Sequence, residues 1–128
     1  MADALIDATI LIDATNNHPK ARVYIETLLL AGEGYTHSQA AAELLSGTRD
    51  SREQSRLTKF LRQFHFLHPN EDDLQAALQN LLKFHLSHDL GFGDCLIAAT
   101  ALRLNLPVAT LNDRHFRLFK GLKVIRPY

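Results

Sequence analysis

The sequence predicts an α/β sandwich around a mostly parallel sheet, and three observations carry that prediction. Short apolar runs bounded by turn residues alternate with longer stretches of helical periodicity. The 128-residue chain, 46% hydrophobic, is long enough to bury a core without disulfides or metal staples. No repeat, low-complexity tract or Pro/Gly-rich linker interrupts it, so one domain across residues 1–128 is expected.

In chain order, Leu5-Ile6 reads as the end of a short buried strand. Thr9-Ile10-Leu11-Ile12 turns into a helix that resumes at His18-Pro19, where proline suits a first turn, with Val23, Ile25, Leu28 and Leu29 as its apolar side. Gly32-Glu33-Gly34 stops it, and Tyr35-Thr36-His37 forms a second strand. Ser38 has N-cap chemistry for the helix formers Gln39 to Leu45, which end near Gly47. From Ser51 to Phe64 the apolar set Leu57, Phe60, Leu61 and Phe64 recurs at helical spacing. A basic stripe of Arg49, Arg52, Arg56, Lys59 and Arg62 lies on another side, interleaved with Asp50 and Glu53. Phe66-Leu67 is a third strand, and Asn70-Glu71-Asp72-Asp73 is an acidic start for a long helix through Leu74, Leu78, Leu81 and Leu82. Gly91-Phe92-Gly93 breaks the chain, Asp94 begins a nearly all-apolar inner helix over Cys95 to Leu104, and Asn105-Leu106-Pro107 closes it. Val108 to Leu111 is a buried strand, Asn112 to Phe116 a brief helix, and Lys123-Val124-Ile125 a final strand.

Fourteen basic and fourteen acidic residues cancel, so binding of nucleic acid by bulk charge is excluded and any such contact must use local patches. The α-helical stripe and the tail basics Arg114, Arg117, Lys120, Lys123 and Arg126 are candidates, although the interleaved acids favour a solvated face for the first and the second is also readable as one. The seven histidines are scattered, form no HExxH or tight zinc cluster, and are expected at the surface or at caps. The single cysteine, Cys95, lies among apolar neighbours as a packed thiol would in a reducing compartment, and acids interrupt the apolar start. A soluble cytoplasmic protein with no membrane span is therefore expected.

In open parallel sheets, ligands bind beyond the carboxyl ends of the strands. Asp7 follows the first strand, and Asn112-Asp113 follows the strand ending at Leu111. Glu43 lies on the helix after the second strand, and Asp94 opens a helix after a glycine pair. Singly, Asp94 reads as a cap, Asp113 as a turn residue and Glu43 as a dipole-compensating acid; Asp7, set between apolar runs, is the hardest to explain as decoration. Together, carboxylates without basic partners repel one another and call for a cation, and hard oxygen ligands favour Mg²⁺ or Mn²⁺. Such ions pair naturally with phosphate oxygens, which points to phosphodiester hydrolysis.

Leu5-Ile6-Asp7-Ala8-Thr9-Ile10-Leu11-Ile12-Asp13 resembles the opening motif of PIN-domain toxins, although Ala8 stands where threonine is frequent. Ala42-Glu43-Leu44-Leu45-Ser46-Gly47 resembles the second motif. Asp94-Cys95-Leu96-Ile97-Ala98-Ala99-Thr100-Ala101 resembles the third, and Thr110-Leu111-Asn112-Asp113-Arg114-His115-Phe116 the fourth. Their order and their span of nearly the whole chain identify a resemblance to the VapC toxins of toxin–antitoxin pairs. The resemblance implies a PIN-like three-layer α/β/α sandwich and an endoribonuclease. It makes Asp7 and Asp94 the principal Mg²⁺ ligands, with Glu43 the third acid and either Asn112 or Asp113 completing the site. It also implies a homodimer and inhibition by a small VapB-type antitoxin. Two other functions are weighed against it. An aspartyl-phosphate phosphatase or receiver domain lacks its second acid, because Thr9 stands two residues after Asp7; a catalytically weak PIN-like module that only binds a partner finds support in Asn112 alone.

Overall fold

The computed structural model describes Asp3–Tyr128, so Met1 and Ala2, part of the apolar start, lie outside the described residues. Five strands form one sheet in the order β3-β2-β1-β4-β5, with every neighbouring pair parallel. They are β1 (Ala4–Ile6), β2 (Gly34–His37), β3 (His65–Leu67), β4 (Val108–Ala109) and β5 (Val124–Ile125). The helices between them are α1 (Ala8–Thr15), α2 (Pro19–Leu30), α3 (Ser38–Ser46), α4 (Ser51–Leu61), α5 (Glu71–His88), α6 (Phe92–Leu104) and α7 (Asp113–Phe116). They complete the three-layer α/β/α sandwich around the sheet. The chain runs outward from β1 through β2 to β3, then crosses back to lay β4 against the other side of β1, with Leu5 opposite Val108 and Ile6 opposite Ala109. That reversal makes a topological switch point at the carboxyl ends of β1 and β4, where open sheets of this kind carry their ligands.

Parallel strands covered on both faces should read as continuous apolar runs. Ala4, Leu5 and Ile6 of β1 and Val108 and Ala109 of β4 are all at most 1% exposed. Inner helix α6 buries Cys95 to Ala101, and burial pushes the Cys95 thiol up to about 11, so it stays an unionised packing group. Among the described residues no helix is long and apolar enough to cross a membrane.

Several expectations are corrected. Strand β4 stops at Ala109 instead of reaching Leu111, because the Leu111 and Asn112 amides turn to the hydroxyls of Thr9 and Thr110 and leave the ladder. Asp94 does not begin α6: the helix starts at Phe92 behind Gly91. Ser38 is not the cap of α3. Strand β2 runs straight into the helix, and the His37 imidazole accepts the Gln39 amide at 3.0 Å as the cap. Val23 is 64% exposed, and α5 turns Leu74, Leu78 and Leu82 outward rather than into the core.

Candidate functional site

Asp7 leaves β1 at the switch point with only 3% of its surface exposed, and its burial is compensated by hydroxyls. Thr9 Oγ1 donates to Asp7 Oδ2 at 3.0 Å and Thr110 Oγ1 donates to the same oxygen at 2.9 Å. Each hydroxyl in turn accepts a backbone amide, Leu111 on Thr9 and Asn112 on Thr110. The strand broken after Ala109 is thus spent on orienting one carboxylate. Thr9 belongs to the first motif quoted above and Thr110 to the fourth.

Asp94 projects from the first turn of α6 with its side chain 20% exposed. Burial, then the nearby Asp7 carboxylate, push its pKa up to about 6; Glu43 adds in the same sense, and His115 works against them. Asn112 Nδ2 stands 3.4 Å from Asp94 Oδ2 and 2.8 Å from His115 Nδ1, and His115 Nδ1 is itself 3.4 Å from Asp94 Oδ2. Glu43, on the second turn of α3, also has a raised pKa, from burial first and from Asp7 in addition, while Gln39 Nε2 donates to its Oε1 at 3.2 Å. The carboxyl groups of Asp7, Glu43 and Asp94 therefore feel one another across the ends of three elements.

Asn112 and Asp113 have different neighbours, and surface arginines hold the second. Arg126 Nη1 lies 3.0 Å from Asp113 Oδ1 and Arg117 Nε 3.4 Å from its Oδ2, and they hold the Asp113 carboxyl below its ordinary range. Asn112 is the member of the pair beside the acids. His115 and Gln39 were missed as site neighbours. The first was visible within the fourth motif, and the second carries no sequence signal beyond its four-residue spacing from Glu43.

Among the described residues, no group of three or more His, Cys, Asp or Glu side chains stands close enough together to hold a metal ion as it is. Each acid is instead turned toward its own polar neighbours. Those neighbours take only Oδ2 of Asp7, Oε1 of Glu43 and Oδ2 of Asp94. The second oxygen of each carboxylate has no donor among the described residues, and none is sealed from solvent as an orphan. Hard anionic oxygens, mutually repelling and with no lysine or arginine partner among the described residues, are the donor set that suits Mg²⁺ or Mn²⁺.

A family model described as the PIN domain matches residues 4–122. The chain is 33% identical over 121 residues to Ribonuclease VapC19 of Mycobacterium tuberculosis, covering 93% of this chain and 96% of that protein. It is 32% identical over 120 residues to Ribonuclease VapC10 of the same organism, covering 93% and 90%. Among solved structures, a toxin–antitoxin complex from Klebsiella pneumoniae aligns with a TM-score of 0.80 at 23% identity over 98% of each chain. VapBC2 from Rickettsia felis, bound to a promoter DNA fragment, aligns with a TM-score of 0.78 at 22% identity over 95% of this chain and 96% of that one.

Proposed function

The chain belongs to the PIN-domain family and is related to the VapC toxins, and from that premise we propose that it is a divalent-metal-dependent endoribonuclease, the toxin of a type II toxin–antitoxin pair. The observation that carries the reading is the trio Asp7, Glu43 and Asp94 at the switch point, each with one carboxylate oxygen free of protein donors. Asp7 and Asp94 would hold Mg²⁺, or Mn²⁺ in its place. Bound there, such an ion lowers the pKa of a water and offsets charge on the scissile phosphate.

The protein's own residues do the rest. Thr9 and Thr110 fix the Asp7 carboxylate so that its free oxygen is presented without rotamer search. Asn112 and His115 restrain Asp94 in the same way. Glu43, made more basic by burial and by Asp7, accepts a proton from the attacking water. Thr9 disfavours phosphoryl-enzyme chemistry, since it supplies a hydroxyl to Asp7 where a second acid would be required.

Two partners follow from the same reading. A small antitoxin is supported by the relatedness to VapC proteins and by the toxin–antitoxin complexes sharing the fold. A second copy of this chain is supported by α5, where Leu74, Leu78, Leu82 and Leu86 recur every four residues and are 44, 53, 78 and 96% exposed. The acidic first turn, Glu71 and Asp72, and Lys83 near the far end make that helix complementary to itself when antiparallel. Leu82→Lys should give a monomer in light scattering where the parent is a dimer; a monomeric parent would remove this partner.

Single-stranded RNA incubated with the purified protein tests the activity. Cleavage is expected with Mg²⁺ or Mn²⁺ and is expected to stop in excess EDTA. Undiminished cleavage in EDTA would overturn the metal-dependent reading.

A further inference from the structure

Gly93 occupies the second position of α6 with no need for a left-handed backbone, and alanine is the better helix former there. Its glycine is explained by what approaches it. A Cβ built on Gly93 would lie 2.7 Å from Gln39 Nε2, 3.2 Å from Gln39 Cδ and 3.2 Å from Glu43 Oε1. The neighbouring Gly91, by contrast, has nothing within 4 Å of such an atom.

Gln39 is itself fixed at both ends. Its backbone amide donates to His37 Nδ1 at 3.0 Å, which pins the first turn of α3, and its carboxamide donates to Glu43 at 3.2 Å. The imidazole Nε2 of His37 is in turn 2.9 Å from Thr100 Oγ1 on α6, so α3 and α6 are tied in the core as well as at their tips. The carboxamide of Gln39 therefore lies in the gap that only a glycine leaves, with the Glu43 carboxylate beside it.

We infer that Gly93 and Gln39 are positioning residues: the bare Gly93 surface seats the Gln39 carboxamide, which holds Glu43 against the first turn of α6, the turn that carries Asp94. This rests on the proposed metal site and adds to it the part of the chain that sets the reach of its third acid. A methyl at position 93 meets the flexible ends of Gln39 and Glu43 rather than backbone, so the seat is lost by swinging these side chains away and not by unfolding the helix. The consequence falls on Glu43.

The test is calorimetric titration of Mn²⁺ into full-length protein, paired with thermal melting of the metal-free form. Gly93→Ala and Gln39→Ala are each expected to bind Mn²⁺ about ten-fold more weakly, the scale on which ligand-orienting neighbours act. Gly93→Ala should melt at or above the parent temperature. Gly91→Ser, in open space, should bind as the parent does. Because both positions act through Glu43, neither substitution should weaken binding further in a Glu43→Gln background. Parent-like Mn²⁺ affinity in Gly93→Ala, or an undiminished loss in the Glu43→Gln background, overturns the inference. A metal-free readout separates this from failure of the site itself: the side-chain amide resonances of Gln39 should shift in both Gly93→Ala and Glu43→Gln. Absence of Mn²⁺ binding by the parent would defeat the metal reading, whereas unmoved Gln39 resonances would defeat the seat.

Discussion

Asp73 and Asp94 are each the third residue of a helix, on α5 and α6, and each is largely buried, yet their surroundings treat the charge in opposite ways. Burial alone would raise both carboxyls. At Asp73 it is outweighed: Arg103 donates in a fork at 2.9 Å to each oxygen, the Asn70 amide completes a capping box, and Thr100 donates at 2.9 Å, so the carboxyl sits below its ordinary range. At Asp94, burial is reinforced by Asp7 and Glu43, and the carboxyl stands at about 6. The same residue at the same helical position is a finished structural joint in one place and an uncompensated anion in the other. Removing the charge should therefore have opposite consequences.

The largest contrast is expected from Asp94→Asn, which keeps the shape and removes the charge. RNA cleavage should fall by about 100-fold or more, while the metal-free protein melts at or above the parent temperature. An Asn variant with near-parental cleavage would remove Asp94 from the proposed site. Asp73→Ala should do the reverse. It strands Arg103 beside the core and breaks the capping box, at a cost of about 2–3 kcal/mol in denaturant unfolding, below the fully buried value because the arginine side chain is 35% exposed. Mn²⁺ affinity of the folded fraction should be unchanged. Stability within about 0.5 kcal/mol of the parent would show that the Asp73 joint is ornamental.

Acidity sharpens the comparison further, because the network around Asp73 includes His37. Its Nδ1 accepts an amide, its Nε2 meets Thr100, and burial lowers its pKa from 6.5 to about 4. Between those values the unfolded chain binds more protons than the folded one, so this joint loses stability as the pH falls through the window, and Asp73 extends the loss below it. Asp94 has the opposite sign. Raised from 3.8 to about 6, it contributes stability that is complete below 3.8 and is lost as the pH rises through 6. Each group contributes at most about 1.4 kcal/mol per pH unit while it titrates. The two slopes oppose one another in the metal-free parent. Melting temperature should therefore climb more steeply with pH from 4 to 6 in Asp94→Asn than in the parent; parallel curves would deny the opposition.

What was legible follows from sequence distance. Asp7, Glu43 and Asp94 each announce themselves locally, by an acid at the end of an apolar run or at a helix start, and the order of strands and helices is written in local periodicity. The Asp73 joint was not legible, since Thr100 and Arg103 lie 27 and 30 residues away and His37 meets Thr100 across 63. The pairing of Asp113 with Arg126, 13 residues on, was equally hidden. Helix α5 misled because leucines every four residues look the same to periodicity whether they face the core or a partner, and here Leu78 and Leu82 face out.

The smallest expected effect bears on the plainest alternative for Asp94, that it merely caps a helix. A cap accepts an amide from the first turn, and its loss to alanine costs about 1 kcal/mol. At α6 the cap position is Gly91 and no side-chain cap bond is made, while Asp94 Oδ2 faces Asn112 and His115. Asp94→Ala gives up the favourable field of the helix N-terminus, about 0.5 kcal/mol, and the long contacts to Asn112 and His115, while in the metal-free protein it also relieves repulsion from Asp7 and Glu43. These contributions nearly cancel, so the alanine and asparagine variants should unfold within about 0.5 kcal/mol of each other in the absence of metal. If alanine instead costs a full 1 kcal/mol that asparagine does not, then Asp94 is a cap after all. Its difference from Asp73 would then be one of degree.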